Sequence, residues 1–111
     1  MRMIVAFVQP FMAADVARAL HRLPSLTGAS FTNVRGFGRG RQRPAVDPEE
    51  IYGSSPRIRV EVMIPDDLED AVVRAIVAAA HTGSRGDGKI YVIEVLKAHR
   101  ISTGEEGTQA L

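Results

Sequence analysis

No cysteine occurs anywhere in the 111 residues, which excludes disulfides and thiolate metal sites and fits a reducing compartment. Tryptophan is also absent and only 5% of residues are aromatic. Charge of one sign does not dominate: 14 basic residues against 13 acidic ones leave a formal net charge of +1, so no overall field draws the chain to nucleic acid or anionic lipid. Any preference for anions must be local. No long apolar run is present either. The opening "MRMIVAFVQP" carries about half of the ~20 residues a membrane span needs and ends at Gln9-Pro10 without a small-residue cleavage site, so the expected location is the cytoplasm, without membrane insertion.

What is present is enough for one core. The chain falls within the usual ~100–150 residue domain size and is 45% hydrophobic, which predicts a single domain over residues 1–111. Residues 3–8, "MIVAFV", form a continuous apolar run that suits a strand covered on both faces. Such a strand in a four-stranded sheet with helices on one side calls for a partner over the other side. From Met12 to Leu23, the apolar positions Val16, Ala19, Leu20 and Leu23 recur at helical spacing. Residues 29–35 read as a second strand, and "RIRVEVMI" alternates with Ile58, Val60, Val62 and Ile64 on one face. "DDLEDAVVRAIVAAAH" begins with acids that favour a helix N-terminus and predicts a second helix; "KIYVIEVL" predicts a fourth strand, followed by a polar, irregular tail. Strand, helix, strand, strand, helix, strand is the order of a ferredoxin-like βαββαβ sandwich of the α+β class.

In that order the second and third strands form a hairpin whose connection, about 38–56, far exceeds the usual ~2–5 residues. It contains Arg39, Arg41, Arg43 and two prolines between Gly38 and Ser55, with few large apolar residues. Residues 34–38 are expected to be ordered, and about 40–55 to be mobile without a partner or ligand. "GFGR" offers glycines that let a ligand approach the backbone and an arginine that can fork onto phosphate. "TGSRGDGK", residues 82–89, repeats that chemistry, but Lys89 begins a strand and not a helix, so this is no P-loop. Each stretch alone reads first as a tight turn; with Arg100 they make three basic anchors on polar loops and favour an anion site.

Several separated motifs together resemble one family. "TGSRGDGKIYV" is similar to the signature of the PII nitrogen-regulatory signal proteins, "VRGFGR" to the entry of their long T-loop, "PDD" at 65–67 to the start of their second helix, and "RISTGEEG" to their C-terminal loop, here about 99–111. The likeness runs over almost the whole chain, in register. It implies a homotrimer with three nucleotide clefts between subunits, and a T-loop that regulates a transporter or enzyme according to the nucleotide bound. Carried over by position, it implies phosphate contacts at Arg39, the Gly86-Asp87-Gly88 turn, Lys89 and Arg100, with Gly36 and Gly38 lending backbone room, and an adenine end at Thr27, Ser30 and Met63. ATP and ADP are the implied ligands, with AMP and cyclic AMP as alternates, and no cofactor is obligatory.

The sequence departs from the family at informative places. Gly40 stands where members that sense 2-oxoglutarate have a glutamine helping to hold Mg²⁺, which argues against a Mg–ATP–2-oxoglutarate complex. Ser102 replaces a second arginine after Arg100, a loss of about 1.5–3 kcal/mol of gross interaction. Tyr52 lies near a position that some members uridylylate and is the candidate modification residue, although its different neighbours favour an unmodified tyrosine. "VQPF", "RGFGRGR" and "AHTG" are closer to a divergent branch found beside heavy-metal efflux systems, so nitrogen regulation and metal efflux both stay open as pathways. His21, His81 and His99 have no ligand spacing, and metal binding by the chain is not expected. Two other functions suit the same element order but not these residues. An RNA-binding module would stack bases on sheet aromatics, but the third strand offers Arg57, Arg59 and Glu61. A small phosphohydrolase would need a nucleophile paired with a base, and the sequence pairs none; the protein is read as no enzyme.

Overall fold

The computed structural model describes residues 1–38, 48–49 and 55–111. Four strands, β1 (Arg2–Val8), β2 (Ser30–Arg35), β3 (Pro56–Ile64) and β4 (Gly88–Glu94), form one sheet in the order β2-β3-β1-β4. All three pairings are antiparallel, which is the ferredoxin-like arrangement anticipated from the element order. Helix α1 (Ala13–His21) connects β1 to β2, and α2 (Glu69–Ala80) connects β3 to β4.

Alternation decides which residues reach the core. Ile4, Ala6 and Val8 of β1 and Val60, Val62 and Ile64 of β3 point to the helix side and are at most 2% exposed. Val16 and Leu20 of α1, with Val72, Ile76 and Ala80 of α2, close over them. Both helices are shorter than their periodicity predicts. Each is preceded by a 3-10 turn, Pro10–Met12 or Asp66–Leu68, because a proline or the residue before it enters in extended conformation and the first turn closes tightly. Leu23 lies beyond α1 but still packs on the core, since Leu23 N–H bonds Leu20 O at 3.1 Å and continues the turn. β4 ends at Glu94, two residues before the predicted limit, with one further bond from Val95 N–H to Met1 O.

The opposite face of the sheet is partly covered by the chain itself. Val5, in register with Glu61 and Tyr91, is 3% exposed. Arg59 pairs with Glu61 at 2.6 Å and lies over the Phe7 ring at 5.8 Å, while Phe7 and Tyr91 meet edge to face at 6.2 Å. β3 carries no aromatic, as read from the sequence; the two rings on this face come from β1 and β4. Tyr91 and Ile93 remain nearly half exposed there.

Candidate functional site

The loop between α2 and β4 takes its shape from one carboxylate. Asp87 accepts hydrogen bonds from the Thr82 hydroxyl, from Thr82 N–H at 2.7 Å and from Gly83 N–H at 3.0 Å. The Thr82 hydroxyl is the main reason its pKa is held below the ordinary carboxylate value, with the backbone donors and His81 adding to the effect. His81 Nδ1 is 3.6 Å from the same carboxylate. Asp87 therefore organises the loop from within. Gly88 follows in a conformation with φ of +116°, and a Cβ there would lie 1.7 Å from the Phe7 carbonyl oxygen. Only glycine fits this approach of β4 to β1. Lys89 comes next, exposed, in register with Phe7.

Two residues outside the loop hold it in place. Gln9 Nε2 donates to the Gly86 carbonyl at 2.7 Å, and Arg57 Nη2 donates to the same oxygen at 3.5 Å. On the same side of the sheet, Gly36 N–H bonds Ser55 O at 3.1 Å and adds a rung beyond the Arg35–Pro56 pair. Regular pairing stops there, before Phe37 and Gly38.

A second group of the predicted residues gathers elsewhere. Thr27, Ser30 and Met63 line one cavity of about 590 Å³, together with Glu61, His99 and Leu111. Arg100 stands beside it, donating from Nη2 to the Leu111 carbonyl oxygen at 2.8 Å and lying 3.6 Å from Glu105. The tail expected to be irregular is a small folded unit here. His99 and Glu106 form an isolated bridge, Gly107 N–H bonds Ala98 O at 2.9 Å, and Gly107–Ala110 make a 3-10 turn.

Within one chain these groups are apart. Met63 is in register with Met3, whereas Lys89 is in register with Phe7, four residues along β1, or about 13 Å at the usual strand rise. Arg39, Gly40 and Tyr52 lie outside the described residues, as does most of the segment expected to be mobile. Among the described residues, no three His, Asp or Glu side chains are placed to hold a metal ion, and no helix is long and apolar enough to cross a membrane. Gln9, Glu105 and Leu111 carried no role in the sequence reading, and Arg57 entered it only as a polar-face residue of the third strand.

The family model of the nitrogen regulatory protein P-II matches residues 1–105. The chain belongs to the P-II family. It is 38% identical to nitrogen regulatory protein P-II 1 of Escherichia coli K12 and 39% identical to nitrogen regulatory protein P-II of Haemophilus influenzae, each over 113 aligned positions that cover both chains completely. Among solved structures it resembles Arabidopsis thaliana PII bound to citrate, with a TM-score of 0.82 and 30% identity, covering 99% of this chain and 91% of that one. The P-II likeness thus extends through the loop at 82–88 and most of the C-terminal unit.

Proposed function

We propose that this P-II signal-transduction protein acts in the cytoplasm, binds adenine nucleotides in clefts between the subunits of a homotrimer and regulates a transporter or an enzyme through its 38–56 loop. Its role is regulatory and not catalytic, in keeping with its family. The observation that carries the nucleotide reading is the separation of the two groups within one chain. Lys89 with the Gly86–Gly88 turn supplies a cation and open backbone for phosphates, and the Thr27–Ser30–Met63 cavity supplies a place for a flat ring. A ligand held by both groups is most simply held when a neighbouring subunit brings its own copy of one group to the other. Gly36, Gly38 and Arg39 then flank the phosphates at the root of the loop, and Arg100 reaches them from the C-terminal unit.

Such a subunit arrangement also gives cover to the half-exposed Tyr91 and Ile93. Gly40 supplies no side-chain oxygen for Mg²⁺, so nucleotide binding is proposed to proceed without tight 2-oxoglutarate coupling. Tyr52 is proposed to remain unmodified. Titration calorimetry with ATP, ADP, AMP and cyclic AMP, combined with light scattering, tests this reading. A trimer that binds ATP or ADP is the expected result; a monomer at micromolar concentration, or no heat with any nucleotide, overturns it. Mg²⁺-dependent 2-oxoglutarate binding overturns the role given to Gly40.

A further inference from the structure

We propose that Gln9 is a positioning residue for the phosphates of the bound nucleotide, an inference that rests on the nucleotide reading above. The loop at 82–88 gets its shape from its own bonds: Asp87 to Thr82 and Gly83, and Ser84 Oγ accepting from Gly86 N–H at 3.2 Å. Those bonds fix how the loop is folded, but not where it stands relative to the sheet. Its backbone is joined to β1 at Gly88, at its C-terminal end, and the shorter of the two long-range side-chain bonds to it comes from Gln9, 77 residues away in sequence.

Gln9 is suited to such a task. It follows Val8, which is 2% exposed, and precedes Pro10, whose ring restricts the chain; its own backbone is extended at φ −63° and ψ 138°. The side chain therefore starts from a fixed point at the end of a central strand. Its amide reaches the Gly86 carbonyl at 2.7 Å, and a Cβ on residue 86 would stand 3.2 Å from that same nitrogen, so the bare glycine permits the approach. Arg57, at the start of β3, donates to the same oxygen from 3.5 Å and makes the longer of the two contacts. Gln9 thus sets the station of the turn that leads into Lys89, without needing to touch the ligand.

The test is calorimetric affinity of the purified full chain for ATP and, at millimolar concentration, for adenosine, in wild type, Gln9→Ala and Gln9→Glu. Gln9→Ala is expected to weaken ATP binding about fivefold to tenfold, the scale of one net hydrogen bond, and to leave adenosine binding unchanged. Gln9→Glu keeps the size and loses the donor, placing a carboxylate against a carbonyl oxygen, and is expected to weaken ATP at least as much. It also serves if the alanine variant fails to fold. Unchanged ATP affinity in either variant, or an equal loss for ATP and adenosine, overturns the proposal. Failure of the wild type to bind ATP sinks the nucleotide reading itself, whereas wild-type binding with unaffected variants sinks only the role of Gln9.

Discussion

Arg100 spends its guanidinium on its own chain, donating to the Leu111 carbonyl oxygen at 2.8 Å with Glu105 at 3.6 Å. A phosphate that takes Arg100 must displace these acceptors. Because Leu111 also lines the cavity proposed for the ring, truncation after Glu106 is expected to weaken ATP binding about fivefold to tenfold in a calorimetric titration, although it frees Arg100. Tighter binding by the truncated chain would make Leu111 a competitor for Arg100 and not part of the binding surface.

Lys89 is exposed and follows the Gly86–Gly88 turn, with no structural task that its charge performs inside the core. Lys89→Ala is expected to lower ATP affinity by about 1.5–3 kcal/mol, roughly tenfold to a hundredfold, at nearly unchanged melting temperature. Equal affinity in mutant and wild type removes Lys89 from the site.

Gly88 and Gly83 both have positive φ, but their surroundings differ. A Cβ at Gly88 meets the Phe7 carbonyl oxygen at 1.7 Å, while one at Gly83, with φ of +87°, meets nothing within 4 Å. Gly83→Ala should cost about 1–2 kcal/mol in urea unfolding, from backbone strain alone. Gly88→Ala should cost clearly more, because β4 must move away from β1. Similar losses for the two variants would contradict this account of the strand contact.

The loop should respond to acid through Asp87. The Asp87 carboxylate has its pKa lowered from 3.8, chiefly by the Thr82 hydroxyl, so folding stabilises its charged form. That contribution is complete above the unfolded value and is lost as pH falls through the lower folded one. The amide shifts of Thr82 and Gly83 in proton–nitrogen correlation spectra are expected to show a transition below pH 3.8. Asp87→Asn should abolish the movement. A midpoint well above 3.8 would contradict the stabilisation of the charged carboxylate by Thr82.

Deleting residues 41–54 should preserve the oligomer and leave ATP affinity within about threefold, since no proposed nucleotide contact lies in that stretch, while partner capture is lost. A pull-down in which the shortened protein retains the same partner with the same nucleotide dependence would place the output surface elsewhere.

The fold was legible because its signals are periodic. Ile58, Val60, Val62 and Ile64 alternate, and three of them are almost fully buried in β3; Val16 and Leu20 mark the inner stripe of α1. The loop at 82–88 was legible from composition, because glycine and aspartate are the residues such a turn requires. The support of that loop was not. A bond from the Gln9 side chain to a backbone oxygen 77 residues away leaves no period and no local composition to read. The C-terminal unit was missed for another reason: backbone bonds and two positive-φ glycines, Gly104 and Gly107, hold it together, with no apolar face. Its available signal was the spacing of those glycines in "TGEEG".

β1 is hydrogen-bonded along both edges, and its Ile4, Ala6 and Val8 are sealed from solvent. Segments of this kind exchange their amide hydrogens only through global unfolding, whereas a unit held by an isolated bridge and a few backbone bonds opens at much lower free energy. Gln9 leaves directly from the first kind of segment; Arg100 and Leu111 belong to the second. The two halves of the proposed site therefore sit at opposite ends of the molecule's range of local opening. Conformational entropy lost on ligand capture should be concentrated around residues 98–111, making that unit the adjustable half and the Gly86–Lys89 turn the preorganised one.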